Sequence, residues 1–432
     1  PGGCRPACRA GSALCGQCAE GYSHGGSGAS AKCDACPDDP SENAAVAVVG
    51  VLAGLAGLVV YVKLSPTNAA NAAEDAASDG LLAILLSFLQ KLSLLATFPI
   101  AWPEVFVAVF QVGGAVTVLG QHVVNLKCLL PTWSEADVFF TIKIAWAVAP
   151  LLLSLGAIVV WQGLRCRHAT YSRQEIDLKT RGSIVALLSL LWPGLCSQTL
   201  SLFACRDVCG TSVLRADLDE PCGEGRQLEY AVLLGVPMLC GYVLGLPAAA
   251  LHSVGRMRRA ITVGKRTSSA TATDGDEAAE PAAAGAAADL AAQQLRDMPN
   301  HLVYGGFYAM FRETTWWWEI TTAGRKVFIA GIAVFGTELG QMQVHLTSAM
   351  LVLVLLVTVW VQPFGGADRM LLQVMEALTL VCVWLTLWAG SIFNTYPKCV
   401  DPASGKGGAP ITTLPWCDAL SLPLALPSPM QQ

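Results

Sequence analysis

Lys91 stands in the middle of an apolar run, 81–99, with Ser87, Gln90 and Thr97 close to the same helical face. An ionisable side chain inside a bilayer costs a few kcal/mol unless it is paired or hydrated, so such residues mark ion pathways, gating contacts or ties between helices. Gln373 and Glu376 lie in the first two turns of the last apolar run, 370–393, beside Asp368 and Arg369. They offer either a cation site or a Glu–Arg pair near the inner interface. Gln90, Lys91, Gln373 and Glu376 are therefore the pore or gating candidates. A second group, Trp316, Trp317, Trp318 and Glu319 followed by Arg325 and Lys326, opens another apolar run. Tryptophan prefers the headgroup level, where its ring is buried and its N–H stays wet. Glu319 and Lys326 are seven residues apart and share a helical face, which would allow them to pair across two turns. This group reads as an interface elbow that anchors the helix or transmits force or voltage to it.

Catalytic chemistry has no foothold in the sequence. There is no nucleophile elbow, phosphate-binding loop or HExxH motif, and His24, His122, His168, His252, His301 and His345 have no metal-ligand spacing among them. No cofactor and no resident metal are expected, and the chain does not read as an enzyme.

The elements that carry these residues are long and apolar. Runs at about 44–62, 81–99, 104–123, 138–161, 182–203, 230–251, 320–336, 344–361 and 370–393 approach the roughly 20 residues a helix needs to cross a bilayer. The composition, 53% hydrophobic and 14% charged, agrees. Only helices or closed barrels satisfy their backbone in lipid, and these runs are too long and uniform for barrel strands. The expected fold is all-α and polytopic, and its first partner is the lipid bilayer. Basic residues sit in short loops beside the runs, which excludes a nucleic-acid footprint.

Charge and cysteine placement give the orientation. Arg165, Arg167, Arg173, Lys179 and Arg181 crowd one loop, and Arg256, Arg258, Arg259, Lys265 and Arg266 open another, so both face the cytoplasm. The acidic segment 204–229 between them faces out. Of sixteen cysteines, Cys4, Cys8, Cys15, Cys18, Cys33 and Cys36 precede the first run, and Cys128, Cys205, Cys209, Cys222, Cys399 and Cys417 fall in segments assigned to the oxidising side. Cys15-x2-Cys18-x14-Cys33-x2-Cys36 also approaches a structural zinc spacing, but zinc would leave Cys4 and Cys8 over, whereas six cysteines make three disulfides in a small coreless module. The N-terminus then lies outside, and only one of 81–99 and 104–123 crosses. The first is favoured. The second, with Trp102-Pro103 before it and Gly113-Gly114, Gln111, Gln121 and His122 within it, is expected along the outer leaflet. The architecture is about eight transmembrane helices plus an outer-leaflet helix. Cys205–Cys222 and Cys399–Cys417 are the expected disulfides, with Cys128 available to Cys209.

The divisions follow: a cysteine-rich module, 1–43; a first transmembrane bundle half, 44–263; a linker, 264–303; C-terminal helices, 304–395; and a Pro-rich external tail, 396–432. Residues 264–300 have too little apolar content to bury a core and read as disordered.

Particular runs carry a resemblance. They are Ser87–Leu95 with Ala101-Trp102-Pro103 and Lys127-Cys128-Leu129; Cys205-Arg206-Asp207-Val208 with Leu214-Arg215-Ala216-Asp217 and Cys222; Tyr304–Tyr308 through Trp316–Glu319 to Arg325-Lys326; and Gln362-Pro363-Phe364. This pattern resembles algal and protist multi-pass proteins with ephrin-receptor-like cysteine-rich repeats and a TRP-like membrane region, similar to the fungal TRP-like/flavin-carrier group. The resemblance covers about 1–395 and implies a cation channel or channel subunit, with ion transport, at the plasma membrane or a secretory-pathway membrane. It carries no ion ligand or selectivity filter onto this chain. A homo-oligomer and an extracellular protein ligand are the further partners it admits. A non-conducting cell-surface receptor or adhesion protein is the competing expectation.

Overall fold

A computed structural model describes residues 18, 22–25, 32–36, 72–96, 98, 100, 102, 106–107, 109–110, 128, 133–167, 172–208, 210–256, 311–364 and 370–395. The first apolar run, most of 104–123, the linker and the external tail lie outside the described residues, as do Cys209, Cys399 and Cys417.

Seven long helices are present among the described residues. They are α1 (Ala72–Leu95), α2 (Glu135–Arg167), α3 (Arg173–Ser201), α4 (Gly225–Arg256), α5 (Trp318–Phe335), α6 (Gln341–Val361) and α7 (Met370–Thr395). Five of them, α2, α3, α4, α6 and α7, are long and apolar enough to cross a membrane. The other two differ in kind. The apolar part of α1, Gly80–Leu95, spans roughly 24 Å at 1.5 Å per residue, and α5 carries Glu319, Arg325 and Lys326 within 18 residues. These two helices hold most of the buried charge described below.

Helix α4 contains Pro237, and π-helical turns at Ala231–Gly235 and Leu239–Leu244 flank it. Proline supplies no N–H to the preceding turn, and wider turns accommodate the break. Pro150 and Pro193 sit inside α2 and α3. Two glycines set close approaches. A Cβ at Gly194 would fall 2.5 Å from the Trp146 ring between α3 and α2, and one at Gly390 would fall 2.6 Å from Trp102.

The contacts define two ends of the bundle. At one lies a three-stranded antiparallel sheet, β3 (Cys205–Val208), β4 (Thr211–Leu214) and β5 (Asp217–Pro221), closed by the Cys205–Cys222 disulfide. The Ala136 N–H at the start of α2 donates to buried Asp217 (3.1 Å), Gln227 of α4 donates to the Leu202 carbonyl (2.9 Å), and Arg215 donates to the Val334 carbonyl at the end of α5. The hairpin of β1 (Tyr22–Gly25) and β2 (Lys32–Ala35) belongs here too, because Cys36 is disulfide-bonded to Cys128 and the Cys18 N–H donates to Glu135 (3.1 Å). This corrects two expectations. Cys128 is joined to Cys36 rather than being available to Cys209, and the six N-terminal cysteines are not paired solely among themselves. The hairpin needs an anchor, and the start of α2 provides one.

At the opposite end lie the start of α1, where Gly80 meets Leu372, the end of α4, where Gly255 meets Trp316, and the turn between α6 and α7. Phe311 forms a bridge with Phe364, and the Arg312 N–H and Thr315 hydroxyl both donate to the Pro363 carbonyl, at 2.8 and 2.9 Å. Because Trp102 meets Gly390 near the end of α7, the chain that leaves α1 is at the sheet end, where α2 begins.

Candidate functional site

Three of the four pore or gating candidates, Gln90, Lys91 and Glu376, meet in one buried charge node, formed where α1, α3, α5 and α7 converge. Lys91 is fully buried, and Gln90, Arg325, Lys326 and Glu376 are buried with it. Arg325 Nη2 donates to Glu376 Oε1 at 2.7 Å, and Lys91 Nζ lies 3.8 Å from the same oxygen. Lys91 Nζ also donates to Thr379 Oγ1 at 3.4 Å. Lys326 Nζ donates to Gln90 Oε1 at 2.8 Å, while the Gln90 amide reaches the Ser189 and Leu190 carbonyls of α3 at 3.4 and 3.3 Å. One carboxylate and one carboxamide thus bind three cations from two helices and tie them to the other two.

The node arises from helical spacing. Gln90 and Lys91 are adjacent, so their side chains diverge by about 100° and contact different neighbours, α3 and α7. Arg325 and Lys326 do the same on α5, one toward Glu376 and the other toward Gln90. Glu376 and Thr379 share a face of α7 and present two oxygens to Lys91. Around the polar contacts, Leu92, Leu95, Cys196, Ile329, Leu380 and Val383 form part of the central apolar core. A low-dielectric surround strengthens each of these contacts and raises the cost of leaving any one unmade.

Two expectations about pairing change here. The arginine bound to Glu376 is Arg325 of α5; Asp368 and Arg369 lie outside the described residues. Lys326 donates its hydrogen bond to Gln90 rather than to Glu319, although Glu319 remains within electrostatic reach of Lys326, Arg325 and Glu376. Gln373, grouped with Glu376 from the sequence, points elsewhere and donates to the Thr358 carbonyl of α6 at 2.9 Å.

The tryptophans of the elbow separate by environment. Trp318 is buried with Ile84, Phe311, Phe364 and Leu372, Trp316 is half-buried, and Trp317 is exposed. The elbow is thus a packed joint between the approach to α5 and the α6–α7 turn, with Trp317 on its outer surface. Arg325 and Lys326, read as part of that elbow, belong to the node two turns further along.

A buried cation outside the node was not singled out from the sequence. Lys143 of α2 donates to Gln198 and Ser201 of α3 and lies 4.4 Å from the Phe139 ring centroid. Its signal was present: it is the one charged residue in the run 138–161. Arg226 forms a third group at the sheet end, where it binds Asp137 at 2.6 Å and Glu220 at 3.0 Å on the surface. Four free cysteines occur among the described residues: Cys166, Cys240 and Cys382 are exposed, and Cys196 is buried in the core. No group of histidine, cysteine and acidic side chains suited to a metal ion is found among the described residues.

No family model, curated protein or solved structure matches the chain. The functional reading therefore rests on the geometry and on the residues themselves.

Proposed function

We propose that this chain is a channel subunit of TRP-like architecture in which α5 couples the sheet end of the bundle to the elbow end. The observation that carries the proposal is that α5 is held at three levels. Arg215 binds its last turn, the node binds its middle, and Trp318 packs its first turn into the elbow. A displacement of the sheet would act on the joint between α6 and α7 through one rigid rod. The arrangement suits gating, and a node with three cations against one directly bound carboxylate disfavours passage of a cation through its centre. Conduction is assigned to a path between copies of the chain along α6 and α7, which leave Leu353, Leu356, Leu378 and Leu385 exposed.

In the proposed topology the sheet end is extracellular or luminal, and the basic ends of α2, α3 and α4 are cytoplasmic. A crossing by the first apolar run, followed by α1 to α7, gives eight, with both termini outside and 104–123 along the outer leaflet. No catalysis is assigned.

A second reading, a non-conducting receptor or adhesion protein, is supported by the attachment of the cysteine-rich hairpin to the bundle through Cys36–Cys128 and Glu135. Recording from purified protein in a planar bilayer separates the two. Discrete currents whose open probability changes in Arg215→Gln support the channel. Silence from a folded, oligomeric preparation across voltages and ionic conditions overturns it in favour of the receptor.

A further inference from the structure

We propose that the charge node is a binding site for a single monovalent anion of halide type, held between α1, α5 and α7. Its charged groups, among the described residues, are Lys91 of α1, Arg325 and Lys326 of α5, Glu376 of α7, and Glu319 within electrostatic reach on α5. By formal charge, three cations against two carboxylates leave one positive charge in excess. An uncompensated charge in a membrane-embedded core is costly, and one small anion removes it.

Two hydrogen-bond donors strengthen the assignment. Arg325 Nε and Ser87 Oγ are buried and without a protein partner. Buried donors are normally satisfied by protein, water or a bound ion. Arg325 commits Nη2 to Glu376, which leaves Nε for another acceptor. Ser87 sits one turn before Lys91 on α1, at the i, i+4 spacing that places both on one face. A small anion is an acceptor suited to either unpartnered donor, whereas a metal cation would face three like charges. The ligand class is therefore a halide or another small monovalent anion, and its role is to lock α5 against α1 and α7. This inference rests on the node geometry alone and is independent of whether the chain conducts.

The test is thermal unfolding of the purified full chain in nanodiscs, titrated with sodium chloride or sodium bromide against sodium gluconate at constant ionic strength. A ligand that binds only the folded state raises stability with the logarithm of its concentration above Kd. We expect a saturable rise in Tm with either halide, lost in Lys91→Met, which removes the excess charge. A bromide-soaked crystal should show one anomalous peak beside Arg325 Nε, and this reading needs no variant. A Tm independent of halide overturns the site. So does an equal halide effect in wild type and a folded Lys91→Met, which would mark a general salt effect. Absence of the bromide peak from the node does the same.

Discussion

At the scale of single residues, the node turns on Glu376, the one carboxylate in ion-pair contact with both Lys91 and Arg325. Glu376→Gln keeps the shape and removes the charge, leaving two buried cations without their counter-ion. Breaking a buried ion pair from one side typically costs about 3–5 kcal/mol, so this variant should show a large fall in Tm or fail to accumulate. Lys91→Met has the opposite character. Glu376 keeps Arg325, a costly charge leaves the core, and the apolar replacement fills similar space. Its stability should lie within about 1 kcal/mol of wild type, in line with buried pairs replaced by packed apolar groups. A loss as large as that of Glu376→Gln would show that the Lys91 contacts outweigh its desolvation. In a conducting protein the same substitution should alter gating, read as a shift in open probability, because it releases one of the ties between α1 and α7.

At the scale of elements, the sheet and the elbow act as clamps on opposite ends of the bundle. Cys205 and Cys222 are 17 residues apart, with Cα atoms 6.0 Å from one another. A disulfide closing a loop of that size contributes about 3 kcal/mol in the chain-entropy view. Cys205→Ser should lower Tm accordingly and abolish the linked peptide in non-reducing mass spectrometry, while leaving the Cys36–Cys128 peptide intact. The elbow clamp is smaller. The Thr315 hydroxyl and the Arg312 N–H share the Pro363 carbonyl, so Thr315→Val removes one of two donors and should cost about 1 kcal/mol. Its more informative effect is on coupling. With the joint loosened, Arg215→Gln should change gating less than it does in wild type, as a double-mutant cycle of open probabilities would report.

At the scale of the whole molecule, the proposed topology places the two ends of the bundle in different compartments. Exposed, free Cys166 lies at the elbow end, where α2 meets basic residues. A membrane-impermeant maleimide should label it only after cells are permeabilised, and protease applied outside should spare the 264–303 linker until then. Labelling or cleavage in intact cells would invert the topology. The apolar faces of α2, α6 and α7, which include Leu151, Leu155, Leu353 and Trp360, are exposed in the single chain and suit contact with lipid or with further copies.

Much of this architecture was legible in the amino-acid sequence. A membrane imposes a one-dimensional rule, that each crossing satisfies its own backbone, so runs such as 138–161 and 344–361 declare themselves as helices by length and composition. Lys91 and Glu376 stood out for the same reason, as charges where charge is costly. The partners those charges would find were not legible. Glu376 binds an arginine 51 residues away, and Lys326 binds a glutamine 236 residues away, because helices far apart in the chain lie side by side. Nor did spacing reveal that Cys36 reaches across 92 residues to Cys128. Hydrophobic periodicity reports which segments avoid water, a property each segment carries by itself. The choice of neighbour depends on how the helices pack, on small residues such as Gly194 and Gly390 that let bulky rings approach, and on the need to satisfy buried polar groups together. That choice belongs to the tertiary structure alone.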